Sequence, residues 1–122
     1  MAEANFDVRQ GRRTYTASGA LSSGMLVTPH STAGQVIAAP ATGPICMVVM
    51  TDALTTTDVE VMPITRGAEY RFLAAGNITA GAEVEFGATT NIGKVIAFSS
   101  GTKVGRAQEA AAAGGLVRVI AY

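Results

Sequence analysis

The side chains able to do chemistry are few in this chain, and none stands at a spacing typical of a catalytic or metal-binding site. His30 is the only histidine and Cys46 the only cysteine. A lone histidine without Asp, Glu or Cys at ligand spacing is usually a surface loop residue, and Cys46 lies in an apolar run where it is expected to be a small buried hydrophobe. We therefore expect no metal site, no cofactor and no enzymatic activity. An enzyme fragment, the alternative, would require His30 or Cys46 to lie close to an acid.

Two further patterns resemble functional motifs only superficially. Gly101–Gly105 (GTKVG) lacks the GKS or GKT ending and the following helix of a phosphate-binding loop, so we interpret it as a hairpin turn. Glu83 and Glu85 share one face of a short strand, where they could imitate a catalytic carboxylate pair. Because the residues between and after them are apolar, we expect this face to be the exposed one and both carboxylates to be solvated.

Short apolar runs separated by Gly and Pro turns predict about ten β-strands. The clearest is Glu69–Leu73, where Tyr70 and Phe72 alternate with charged residues at the period of two that is typical of a half-buried strand. Such strands at regular spacing indicate an all-β fold, a compact β-sandwich or barrel. We assign residues 14–122 to this single β domain.

The segment Val104–Ala113 is the ambiguous one, because it contains strong helix formers followed by two glycines. Its alanine-rich part is short, and an isolated helix below about 12 residues is marginal without an apolar face to bury. We therefore predict a strand at Val104–Gln108, a loop, and a final strand at Leu116–Tyr122.

Three short blocks recur in the same order 57 to 59 residues later in the chain. They pair Gly24 with Gly81, Gly34–Ala38 with Gly93–Ala97, and Val59–Val61 with Val117–Val119. A glycine turn before Val-Ile-Ala is also a common pattern in any β-rich sequence. We favour two similar halves, an internal repeat at about residues 18–61 and 75–119.

The first 13 residues differ from the rest, since they are polar and have only Phe6 and Val8 as apolar anchors. Alone, such a segment cannot bury enough surface to offset its ordering entropy, so we interpret residues 1–13 as an extended N-terminal arm or an edge strand. Its basic residues Arg9, Arg12 and Arg13 could dock on an acidic partner surface. A solvated basic turn explains the arginine pair equally well.

Charge and hydropathy exclude several classes of protein. Nine basic and nine acidic residues cancel, and only 15% of the chain is charged, whereas nucleic-acid binding needs clustered Lys and Arg. No apolar run approaches the roughly 20 residues of a membrane helix. The beginning of the chain has no signal-peptide pattern, so we expect synthesis in the cytoplasm. These features favour a structural or interaction protein.

Several short blocks occur in a characteristic order and spacing along most of the chain. They are Ile78–Gly81, Gly93–Val95, Val104–Gly105, Glu109–Gly114 and Val117–Val119, preceded by Asn5–Phe6, Gln10–Gly11, Thr14–Ala17 and Leu21–Gly24. In this order and spacing the blocks resemble a family of small tailed-bacteriophage proteins that decorate, or cement, the capsid. The departure from the family pattern is the Pro-rich passage Pro40–Pro44.

The resemblance implies a non-enzymatic virion protein that binds the outer surface of a phage capsid. It would act as a homotrimer that bridges neighbouring copies of the major capsid protein and so stabilises the shell, without contacting nucleic acid or membrane. The residues we expect to contact the capsid or a neighbouring copy are Phe6, Val8, Arg9, Arg12 and Arg13. The alternative is a β-type ligand-binding module, for example a carbohydrate-recognition domain, which would need clustered exposed aromatic residues or a preformed polar pocket.

Overall fold

The computed structural model describes residues 13–40 and 47–122 and consists almost entirely of β-strands. The expected all-β fold is confirmed, including strands rather than a helix on either side of the alanine-rich segment. One short 3-10 helix, Thr89–Asn91, lies between two strands. The strands are β1 Arg13–Ala17, β2 Leu26–Pro29, β3 Gln35–Ala38, β4 Met47–Val49, β5 Asp58–Pro63, β6 Glu69–Leu73, β7 Glu83–Phe86, β8 Val95–Ala97, β9 Lys103–Ala107 and β10 Leu116–Ala121.

The strands form two five-stranded units with the same connectivity. Strands β1–β5, which we call unit 1, close into a barrel in the order β1-β3-β2-β4-β5. Strands β6–β10, unit 2, follow the order β6-β10-β9-β7-β8, which is the order of unit 1 read around the barrel in the opposite sense. In unit 1 the barrel includes the parallel pair β1–β3, whereas in unit 2 the matching strands meet only at a single parallel bridge, Ala74 to Val95. The fold thus consists of two similar halves, of which the second is more open.

Equivalent turns in the two units have the same backbone conformation. Gly24 and Gly81 precede β2 and β7 with φ angles of 90° and 84°. An isolated antiparallel bridge joins Leu21 to Ala53 in unit 1 and Ile78 to Ala111 in unit 2. Left-handed φ values favour glycine, which explains why the two glycines recur at this spacing in the sequence.

The two units share part of their interior and therefore cannot be regarded as separate bodies. One apolar cluster fills the barrel of unit 1 with residues such as Val27, Val36 and Val61. The other cluster centres on Phe72 of unit 2 but also contains fully buried Leu26 from unit 1. Since burying a large aliphatic side chain contributes about 1.5–3 kcal/mol, Leu26 couples the stability of unit 2 to unit 1.

The turn before β2 enters the open side of unit 2. The N–H of Leu73 in β6 donates to the carbonyl oxygen of Gly24 at 2.9 Å, and the N–H of Leu26 donates to the carbonyl oxygen of Gly93 at 2.8 Å. In unit 1 the counterpart of Leu73 is Thr16, whose N–H donates instead to Gly34 of its own barrel. The turn that contains Gly24 thus supplies to β6 the hydrogen bond that pairing between β6 and β8 would supply if unit 2 were closed like unit 1.

Close packing between the units leaves no room for side chains at two glycines. A Cβ atom on Gly24 would lie 2.5 Å from Cδ2 of Leu116 and 3.0 Å from the backbone nitrogen of Leu73. A Cβ atom on Gly93 would lie 2.7 Å from Cε of Met25. Both positions have positive φ, so glycine is required there by conformation and by contact.

Candidate interaction surfaces

Within residues 13–40 and 47–122, no three His, Cys, Asp or Glu side chains are grouped so that they could hold a metal ion. His30 lies in the turn between β2 and β3, where its Nδ1 accepts the backbone N–H of Thr32 at 3.0 Å. Cys46 lies outside the described residues. Over the same part of the chain, no helix is long and apolar enough to span a bilayer.

Most of the residues expected to contact a capsid lie outside the described part of the chain. These are Phe6, Val8, Arg9 and Arg12. Arg13 is described: it is the first residue of β1, half-buried, and it pairs with Val61 of β5. Arg13 therefore belongs to the barrel sheet, and any arm precedes it.

Glu85 is not the solvated strand residue that the sequence pattern predicted. Its side chain is only 7% exposed. One carboxylate oxygen accepts the backbone N–H groups of Ser99, Ser100 and Gly101, the latter two at 3.1 Å. The N–H of Ser99 is the main cause that lowers the pKa of Glu85, while burial opposes the shift. Glu85 therefore stabilises the turn at residues 99–101 by accepting its backbone N–H groups. The expectation of a solvated pair with Glu83 was wrong.

The same contact corrects the interpretation of Gly101–Gly105 as a hairpin turn. β8 and β9 do not pair with each other, since both pair with β7. The connection between them passes beside β7, where Glu85 holds its backbone N–H groups. A Cβ atom on Gly101 would collide with this carboxylate. The glycine is therefore explained by close approach to Glu85 and not by a hairpin.

Glu83 lies at the centre of a small exposed cluster on unit 2. Its carboxylate accepts the Tyr122 hydroxyl at 2.6 Å and lies 3.2 Å from Nζ of Lys103 and 3.8 Å from Nη2 of Arg106. The Tyr122 hydrogen bond is the main cause that lowers the pKa of Glu83, followed by Lys103, and the same bond raises the pKa of Tyr122. Nζ of Lys103 also lies 4.8 Å from the ring centre of Phe98. The cluster combines two exposed aromatic rings and Arg106, residue types that are enriched at protein interfaces, with Glu83 and Lys103, which are types depleted there.

An apolar groove separates the two units on another part of the surface. It has a volume of about 260 Å³. Its wall from unit 2 includes Leu116, which is 41% exposed, and Tyr70, whose hydroxyl donates to Pro63 and accepts from Thr65. The groove residues are Ser23, Val48, Val49, Met50 and Met62 from unit 1, and Glu69, Tyr70, Arg71 and Leu116 from unit 2.

Unit 1 exposes a further apolar side chain at the end of a loop. Leu54, after β4, is 73% exposed and borders a depression of about 280 Å³ that Leu21 and Asp52 also line. At the matching position of unit 2 stands Ala112. A single exposed leucine is common on protein surfaces and does not by itself identify a site.

Sequence reasoning missed both the groove and the buried carboxylate. The groove arises from how unit 1 docks on unit 2, and no local pattern encodes that arrangement. For Glu85, the Ser-Ser-Gly run at residues 99–101 was the available signal, because successive backbone N–H groups in a tight turn form an anion-binding site.

The comparisons with known proteins show a strong structural likeness to a solved structure. No family model matches the chain, and no curated protein matches it. Among solved structures, the chain is similar to the head fiber gp8.5 N base of bacteriophage phi29, with a TM-score of 0.73 and 21% sequence identity. The likeness covers 91% of this chain and 92% of that one. At this identity it establishes a shared fold over nearly the whole of both chains.

Proposed function

We propose that the chain is a non-enzymatic structural protein of a phage virion. It binds the outer surface of the capsid and stabilises the shell by bridging neighbouring copies of the major capsid protein. The observation that carries the proposal is the fold shared with the base of a phage head fiber over 91% of this chain. The sequence blocks that resemble capsid decoration proteins support it independently.

The mechanism would be the burial of surface across junctions between capsid subunits. As a homotrimer, the protein would engage several subunits at once, so that weak individual contacts add by effective concentration. The chain carries no formal net charge, so symmetric copies approach each other with little electrostatic repulsion. In this proposal the contacts to the shell or to a neighbouring copy come from Phe6, Val8, Arg9, Arg12 and Arg13.

Binding to purified capsids of the phage that encodes the chain tests this proposal. The full chain is expected to co-sediment with expanded capsids and to reach a fixed saturating ratio. A variant lacking residues 1–12 is expected to bind more weakly, and it keeps Arg13 so that β1 stays paired with β5. Leu54→Ser, which alters an exposed side chain without shortening the chain, serves as the control. Equal affinity of the full and shortened chains would refute the role of the arm, and no binding by the full chain would refute the function.

A β-type ligand-binding module remains the second candidate, and one observation favours it. Phe98 and Tyr122 are 37% and 47% exposed, and both contact the charged cluster, Tyr122 through Glu83 and Phe98 through Lys103, which places two aromatic rings beside polar groups. Rings and hydrogen-bonding groups of this kind can bind a sugar. A glycan array would test this, and binding that is lost in Phe98→Ala would favour the ligand-binding module over the capsid protein.

A further inference from the structure

The apolar groove between the units lies close to the place where the N-terminal segment joins the fold. β1 runs antiparallel to β5, with Thr16 opposite Asp58 and Arg13 opposite Val61. Going backward along β1 therefore means going forward along β5, and the residue after Val61 is Met62, which lines the groove. The chain that precedes Arg13 thus starts beside the groove.

The volume of the groove suits side chains of a peptide segment. At about 260 Å³ it is smaller than the roughly 300–1,000 Å³ of a typical small-molecule pocket. Its walls are mainly apolar, with Val48, Met50 and Met62 on one side and Leu116 on the other. A large apolar side chain would bury surface that Leu116 now exposes.

We propose that residues 1–12 of the chain bind in this groove of their own molecule, with Phe6 as the anchor. Phe6 precedes Arg13 by seven residues, which an extended chain spans with up to about 24 Å. Phe6 and Val8 stand two residues apart, so in an extended chain both side chains face the same way. Arg9 then faces the opposite way, toward solvent or a partner. This inference does not depend on the proposed capsid role, because it concerns the protein free in solution.

A nitroxide label on the full chain tests the proposal by NMR. The chain carries Ala4→Cys for the label and Cys46→Ser to remove the native thiol, and Phe6 is kept. The label is expected to broaden the amide signals of the groove residues Met50, Tyr70 and Arg71. Phe6→Ala is expected to remove this broadening, and the conservative Phe6→Leu is expected to retain most of it.

A mixed sample distinguishes binding within one molecule from exchange between copies. Chains that are enriched in ¹⁵N and carry no nitroxide are refolded together with nitroxide-bearing chains at natural isotopic abundance. Our proposal predicts no broadening at the groove in this mixture. Broadening there would show that the groove takes the segment of a second copy, and it would overturn the proposal. Absence of broadening in the self-labelled chain, or broadening unaffected by Phe6→Ala, would overturn it as well.

Discussion

The backbone N–H of Leu73 donates to the carbonyl oxygen of Gly24 at 2.9 Å, and this bond joins the second unit of the fold to the first. The counterpart of Gly24 in unit 2 is Gly81, whose carbonyl oxygen accepts Nη1 of Arg106 from its own unit at 2.8 Å. The same turn thus serves as an interface in unit 1 and as free surface in unit 2.

Alanine at the two equivalent glycines is expected to have unequal effects. Gly81→Ala introduces strain from positive φ alone, about 1–2 kcal/mol, because nothing lies within 4 Å of the new Cβ atom. Gly24→Ala adds the collision with Leu116 and Leu73, and overpacking of this kind costs roughly 1–3 kcal/mol more. Denaturant midpoints of the two variants give the comparison. Equal losses would show that the Gly24 turn is not packed against unit 2.

Leu26→Ala is expected to destabilise both units together. Leu26 belongs to unit 1 but is fully buried in the cluster around Phe72, and Leu→Ala in a core costs about 2–5 kcal/mol. Hydrogen exchange should show faster global opening of amides in β5 and in β10 alike. As a matched control, Ile37→Ala removes an aliphatic side chain that is 40% exposed and should leave exchange in both units nearly unchanged. Opening confined to unit 1 would contradict the shared core.

Replacing Glu85 by glutamine is expected to remove a pH-dependent contribution to stability. The pKa of Glu85 is lowered from its ordinary value of 4.5, so its ionised form stabilises the fold above that value. This contribution is lost as the pH falls through the lowered pKa of the folded state. Above pH 6, Glu85→Gln should cost about 1.5–3 kcal/mol, the usual value for hydrogen bonds to a charged group. The wild-type chain and the variant should then converge as the pH falls.

Glu69→Gln is the control for that experiment. Glu69 is an exposed carboxylate, 3.6 Å from Nη1 of Arg118, and surface ion pairs contribute about 0–1 kcal/mol. Urea midpoints of both variants, measured across the acidic pH range, show which of the two carboxylates contributes the pH-dependent part of the stability. If the free-energy difference between wild type and Glu85→Gln did not change with pH, the carboxylate would not be the group that holds the Ser99–Gly101 turn.

Tyr122→Phe is expected to raise the pKa of Glu83 toward its ordinary value. The Tyr122 hydroxyl is the largest single cause of the lowered pKa, and the hydrogen bond and the charge of Lys103 remain in the variant. Carboxyl ¹³C titration of Glu83 measures the change. Lys103→Gln should also raise the pKa of Glu83, because it removes a positive charge beside the carboxylate. An unchanged pKa in Tyr122→Phe would mean that the tyrosine hydroxyl does not stabilise the ionised form of Glu83.

The sequence predicted most strands because their alternation is local. Tyr70 and Phe72 pack face to face with ring centres 5.8 Å apart, as a period of two requires of side chains on one strand face. The alanine-rich segment was also assigned correctly, since it has no apolar face for a helix to bury. The similar halves were visible because turns with positive φ fix glycine at equivalent positions.

Contacts between distant parts of the chain were not predictable in the same way. The alternation around Glu85 assigned it to solvent, but a turn 14 residues later covers that face and supplies three N–H groups to the carboxylate. The insertion of the Gly24 turn into unit 2 depends on one barrel being closed and the other open. Neither feature has a local periodicity, so neither could be derived from pattern alone.

We propose above all that the protein bridges capsid subunits on the outside of the shell. Electron cryomicroscopy of expanded capsids saturated with the full chain tests it most directly. Our account predicts density for the two-unit fold on the outer surface, in groups of three, with each group contacting at least two neighbouring capsid subunits. Undecorated capsids, or copies that each contact a single subunit, would contradict it.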